Sequence, residues 1–147
     1  MYQRILVTTD GSTLSKKAVR SAIELAAATG ASLVALNVVP RYPMSYFEGG
    51  VSIATEDVGR IEKKWAEDGQ AIVNAVETAA QAAGVRVKAV TTRSDLVAEA
   101  IMAAAKKHKC DLIVMASHGR KGIKRLLLGS ETQHVLTHSS VPVLVLR

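Results

Sequence analysis

Between Met115 and Thr132 the chain gathers small residues, hydroxyls and cations in one short stretch. Gly119 lets backbone approach a ligand closely and adopt positive φ. Gly129 and Ser130 fall where a helix is expected to start, which offers unpaired N–H groups and the positive end of a helix dipole. Ser130 and Thr132 add hydroxyl donors, and Arg120, Lys121, Lys124 and Arg125 place four cations within six positions. Together they describe a cradle for a polyphosphate. Taken singly, each also reads as ordinary structure: a helix cap, a turn glycine, a solvated basic face. Neither GxGxxG nor GxxxxGK[ST] occurs, which counts against dinucleotide dehydrogenases and P-loop ATPases.

A second segment, Thr8-Thr9-Asp10-Gly11-Ser12, closes the first apolar run. Asp10 fits a bond to an adenine amine or ribose hydroxyl, or to a metal through water; an Asx turn or helix cap fits equally. Val38 would lend backbone groups and an apolar wall to a base, and Met115 reads as core or pocket wall. His118 is read as holding loop backbone, and Ser12 and Ser15 have no base beside them, so a hydrolase triad fails. His134 and His138 stand four apart without a third metal ligand, and the lone Cys110 has no disulfide partner.

These segments need elements to position them. Ile5–Val7 reads as a buried strand, residues 13–29 as a helix with Ala18, Val19, Ala22, Ile23 and Ala26 inward and Gly30 as its stop. Ser32–Val39 is an apolar strand, and 40–55 a surface loop rich in Pro and Gly. Residues 56–83 form a helix with Val58, Ile61, Trp65, Ile72, Val76 and Ala80 on one face. Val85–Thr91 alternates as an edge strand. Ser94 or Asp95 caps a third helix with Leu96, Ala100, Ile101, Ala104 and Ala105 inward. Asp111–Met115 is buried strand, Ser130–His138 a short helix, and Val141–Leu146 a last strand that Pro142 confines to an edge. The alternation predicts an α/β, doubly wound, five-stranded parallel sheet in the order 3-2-1-4-5, with helices on both faces, as one domain over 1–147. Its crevice opens between strands 1 and 4, at the carboxyl ends just singled out.

Composition narrows the function classes. The chain has 147 residues, 48% of them hydrophobic, but only 3% aromatic, too few rings for a base-stacking nucleic-acid module. The net charge of +6 is concentrated after residue 115, where five basic residues face one acid, Glu131. A small anion, rather than nucleic acid, is the expected partner. Apolar Ile5–Val7 is too short for a signal peptide and no run spans a bilayer, so a soluble, cytoplasmic protein is expected.

The spaced segments Ile5–Ser12, Asp111–Arg120, Leu127–Ser130 and Val141–Val145 resemble those of the universal stress protein family across nearly the whole chain. The family's ATP-binding branch carries Gly-x2-Gly-x9-Gly-[Ser/Thr]; here Gly119, Gly129 and Ser130 match, and Ala116 stands at the first glycine. Thr8 stands where the family often has proline. The resemblance implies a Rossmann-like fold of the adenine nucleotide alpha hydrolase type. It implies Thr8, Thr9, Asp10 and Val38 around adenosine. Met115, Ala116, Gly119, Arg120, Gly129, Ser130, Glu131 and Thr132 would border ribose and phosphates, with Glu131 serving through its N–H and its side chain turned away. The implied ligand is ATP or another adenine nucleotide, bound as a regulator, with Mg²⁺ or Mn²⁺ on the phosphates. It also implies a homodimer through the last strand, at Val141, Val143 and Val145, which suits an apolar edge. No catalytic base stands out, so any ATP hydrolysis is expected to be slow and incidental. A dimeric adaptor without nucleotide is the alternative, and an enzyme of nucleotide α-phosphate chemistry a further one, with loop 40–55 its only pocket material.

Overall fold

The computed structural model describes residues 1–42, 55–119 and 128–147. Among the described residues nine elements alternate: β1 (Arg4–Thr8), α1 (Thr13–Thr29), β2 (Ser32–Val39), α2 (Thr55–Ala82), β3 (Val87–Arg93), α3 (Val97–Lys107), β4 (Leu112–Ala116), α4 (Ser130–His138) and β5 (Val143–Leu146). The five strands form one sheet in the order β3-β2-β1-β4-β5, every pair parallel. A sheet of this kind must be covered on both sides, and the period of two along each strand divides the core accordingly. Ile5, Val7, Leu33, Ala35, Leu112 and Val114 face α1 and α2. Leu6, Val34, Leu36, Ile113 and Met115 face α3 and α4. Aliphatic side chains thus fill both layers, each fully buried Ile or Leu contributing about 1.5–3 kcal/mol.

The helix α1 keeps the bounds its periodicity implies. Ser12 caps it by accepting the Ser15 N–H, and Gly30 ends it at φ +74°, a left-handed conformation that glycine adopts without penalty. In α2 the buried face is Gly69, Val73, Val76 and Ala80, so Ile72 lies beside the stripe rather than in it. The reason is close packing: a Cβ on Gly69 would come within 2.5 Å of Asn37 Oδ1 and 2.8 Å of Val39 Cγ2. The edge strand β3 starts two residues later than its alternation suggests, because the Val85 N–H is spent on the Ala80 carbonyl at the end of α2; at its other end the pairing with β2 runs on to Val39 and Arg93.

At α3 the expected capping is wrong. Leu96 occupies the cap without a side-chain bond and is 62% exposed rather than inward. Ser94 Oγ accepts the Leu96 N–H, and Asp95 Oδ1 accepts the Arg41 N–H. The last strand is shorter than expected and begins at Val143, because Pro142 has no N–H to give the ladder; its carbonyl still accepts the Ile113 N–H. Most of loop 40–55, over 43–54, lies outside the described residues. Its entry is anchored: the Tyr42 ring stacks on Trp65 of α2 at 6.1 Å between centroids. No helix among the described residues is long and apolar enough to cross a membrane.

Candidate functional site

Where β1 and β4 end side by side, the crossovers leave in opposite directions and a cleft opens. It holds about 580 Å³, within the usual range for small-ligand sites. Thr8, Thr9, Asp10, Val38, Met115, Ala116, Gly119, Gly129, Ser130, Glu131 and Thr132 all line it. Arg120, with Lys121, Lys124 and Arg125, lies outside the described residues.

The floor is rigid because its polar groups are spent on one another. The Thr9 N–H donates to the Leu36 carbonyl at 3.0 Å, and Asn37 Nδ2 donates to the Thr9 carbonyl at 2.9 Å, fastening β2 to β1. Thr9 Oγ1 pairs with Ser15 Oγ at 2.9 Å and accepts the Gly11 N–H, so that hydroxyl faces inward. Asp10 Oδ1 accepts the Ser12 N–H at 2.9 Å, the Asx turn that the sequence left as one option.

Across the cleft, two expectations give way to internal bonds. Thr132 Oγ1 donates to the Ala116 carbonyl at 3.0 Å, holding the start of α4 against the end of β4. Thr132 is only 2% exposed, so it is no free hydroxyl donor. The Gly129 N–H donates to the Ser117 carbonyl at 2.8 Å and is therefore paired. The first bond within α4 runs from the Gln133 N–H to the Gly129 carbonyl, which leaves the N–H groups of Ser130, Glu131 and Thr132 as those a helix start cannot satisfy itself. Gly119 has no positive φ; its need for glycine is space, since a Cβ there would meet Asp10 Oδ2 at 2.7 Å. Ala116 is the last residue of β4, extended backbone in which alanine carries no strain.

The side chain of Glu131 turns from its own helix, and Oε2 accepts the Ala98 N–H of α3 at 2.9 Å. His118 bonds the Ser117 hydroxyl through Nδ1 at 3.2 Å, where loop backbone was expected. Among the described residues no carboxylate bonds the His118 ring, and no three metal-ligating side chains converge.

Sequence reasoning placed two acids in the crevice; Asp95 makes a third. No Lys or Arg is among the described lining residues. It also missed Asn37, whose signal was visible: it is the one polar side chain between Leu33 and Val39, and in a strand covered on both faces a polar group must have a built partner. A wider hollow of about 740 Å³, beside α1, is lined by Thr13, Lys16, Lys17, Arg20 and Arg147. Lys17 there donates to the Arg147 carbonyl at 2.8 Å, and Ser117 and His118, just past β4, line it as well.

The family model of the universal stress proteins matches residues 1–147. Universal stress protein MJ0531 of Methanocaldococcus jannaschii is 33% identical over 147 residues, which are 100% of this chain and 83% of that protein. Among solved structures, universal stress protein UspA from Lactobacillus plantarum superposes with a TM-score of 0.85 at 24% identity, covering 99% of this chain and 98% of that one. A universal stress protein in complex with cAMP superposes with a TM-score of 0.71 at 30% identity, covering 99% and 97%.

Proposed function

The chain belongs to the universal stress protein family, and on that footing we propose that it binds an adenine nucleotide in the cleft as a regulatory ligand in the cytoplasm. One observation carries the reading: the start of α4, with its unsatisfied N–H groups, opens on the same 580 Å³ cleft as Asp10, Val38 and Met115. Val38 and Met115 provide an apolar wall for the base. Asp10 offers a carboxylate oxygen to an amine or a ribose hydroxyl. Ser130, Glu131 and Thr132 offer backbone N–H groups to phosphate, the mode in which a helix N-terminus holds an anion. The related structure that contains cAMP supports the ligand class. Within that class the ligand is ATP, with Mg²⁺ or Mn²⁺ on its phosphates.

The role is binding, not turnover. No catalytic base stands out in the sequence, and any ATP hydrolysis is slow and incidental to binding. The protein works as a homodimer joined along β5 and its approach, at Val141, Val143 and Val145. A dimeric adaptor without nucleotide is the second reading.

Calorimetric titration of the purified chain with ATP and AMP, with and without Mg²⁺, separates the two. Saturable binding is expected below millimolar nucleotide. No saturation at millimolar concentrations overturns the nucleotide reading and leaves the adaptor.

A further inference from the structure

The hollow beside α1 is built from distant parts of the chain. Lys16, Lys17 and Arg20 line it from the first half of α1, and Arg147, just past β5, lines it from another element. Ser117 and His118 complete the wall, and His118 lines the cleft as well, so the two spaces adjoin at that residue.

Gathering these cations is unfavourable, because like charges repel and nothing described there offsets them. Lys17 is engaged by the Arg147 carbonyl at 2.8 Å, and its charge is set aside against that oxygen. Lys16, Arg20 and the Arg147 guanidinium form no ion pair among the described residues. The first turn of α1 carries no acid, so the positive end of the helix dipole adds to the charge instead of meeting a carboxylate. Glu24, the one acid of α1, does not line the hollow, and Asp10 lines the cleft alone. Residues 120–127, outside the described ones, contain four cations and no acid, while 43–54 contain the single acid Glu48. Three unpaired cations thus outweigh any acid that the rest of the chain could bring. At about 740 Å³ the hollow holds more than one oxyanion, and cations spread over two elements suit an anion with several charged groups in a row.

We propose that this hollow is a polyphosphate site, in which Lys16, Arg20 and Arg147 bind a chain of phosphates, either inorganic or the tail of a nucleotide. Lys16 meets it as a point charge, and the two guanidinium groups meet it through paired N–H bonds. The inorganic form stands without the nucleotide reading of the cleft; the tail rests on it.

The test is calorimetry with inorganic tripolyphosphate, ATP and AMP on the wild-type chain, K16Q/R20Q, R147Q and K106Q/K107Q. The last removes equal charge from the final turn of α3. Lys16 and Arg20 are exposed and glutamine nearly matches their helix propensity, so K16Q/R20Q folds, with a melting temperature no lower than wild type. The wild-type chain binds tripolyphosphate saturably, and more weakly as salt rises. K16Q/R20Q lowers that affinity by about tenfold or more and R147Q by about threefold or more, as expected for unit charges lost beside an anion at a surface. K106Q/K107Q leaves it within about threefold, too remote for more than screened attraction. An ATP affinity that falls in K16Q/R20Q while AMP holds assigns the phosphates to a nucleotide; ATP and AMP that both hold assign them to an inorganic chain. Loss of AMP affinity as well overturns the site, since a distorted cleft then accounts for the change. Equal weakening in K106Q/K107Q, or unchanged affinity in K16Q/R20Q or R147Q, overturns it in favour of general surface charge or the cations of 120–125. A wild-type chain that does not bind tripolyphosphate overturns it outright. A wild-type chain that binds tripolyphosphate but not AMP removes the nucleotide reading and leaves the hollow standing as an inorganic polyphosphate site.

Discussion

Gly119 and Asp10 approach so closely that a Cβ on the glycine would lie 2.7 Å from the aspartate Oδ2. The two residues follow β4 and β1, so their contact spans the point where the winding of the sheet reverses. Any side chain at 119 must displace the Asp10 carboxylate, whose other oxygen holds the Ser12 N–H. Gly119→Ala is therefore expected to weaken adenine nucleotide binding by about threefold to tenfold, the cost of an off-rotamer Asp10. The melting temperature should hardly move, because Gly119 is not in left-handed backbone. Calorimetric titration checks the first effect and calorimetric melting the second; unchanged affinity would release Asp10 from the site.

Gly69 sets the distance between α2 and β2. Its substitution by alanine would drive a methyl into Asn37 Oδ1 and Val39 Cγ2, at 2.5 and 2.8 Å. Asn37 is 6% exposed and fastens the Thr9 carbonyl, so it cannot swing into solvent without breaking that bond. Gly69→Ala should destabilise the chain by about 1–3 kcal/mol, the usual cost of overpacking, despite alanine's better helix propensity. Urea denaturation decides: a stabilised variant would mean that the helix shifts freely.

The free edge of β5 supplies the proposed dimer contact. The carbonyls of Pro142 and Leu146 accept the N–H groups of Ile113 and Ser117, so the alternate residues Val143 and Val145 turn theirs outward. Leu144 adds apolar surface, 40% exposed. Val143→Pro removes one outward N–H without touching the ladder to β4 and should convert a dimer to a folded monomer, read by analytical ultracentrifugation. A variant that stays dimeric would place the interface elsewhere.

Cys110 and Asp111, adjacent before β4, shift in opposite directions. Burial pushes the Cys110 thiol up to about 11, with Arg4 opposing and Asp111 assisting. Partial burial resists ionisation of Asp111, yet the N–H groups of Gln3, Arg4 and Asp111 itself, with the amino terminus nearby, hold its carboxyl below the usual value. His108 is held below the ordinary histidine value by burial first, then by Lys88, Lys107 and Arg4. On the acid side the unfolded chain takes up protons first, at His108 and then at Asp111. Stability therefore falls below roughly pH 6.5 and again below roughly pH 4. On the alkaline side the unfolded thiol loses its proton first, so stability falls between the ordinary thiol value and about 11. Asp111→Asn should flatten the lower acid limb and Cys110→Ala the alkaline one, read as urea midpoints against pH. Parallel curves for variant and wild type would contradict these assignments.

The order of strands, the bounds 13–29 and 130–138 for two helices, and the two segments that meet at the crevice were legible in the chain. Apolar period and chain breakers are local signals, and the handedness of crossovers converts them into one topology. The capping of α3 was not legible, since Ser94 and Asp95 look like caps and their oxygens are engaged elsewhere. Nor was the presence of Asp95 in the cleft lining, because it reaches the cleft only through the packing of β3 and α3 against the central strands.

The sequence by itself determined which residues stand near the carboxyl ends of β1 and β4, because spacing within a strand or a helix fixes the position of each Cα. Only the tertiary structure decided what their polar atoms do. Thr132 turns to the carbonyl of Ala116, Gly129 to that of Ser117, and Glu131 to the N–H of Ala98. Those partners lie 12 to 33 positions away in the chain. A buried donor or acceptor takes whichever partner packing brings within reach, and no local periodicity records that choice.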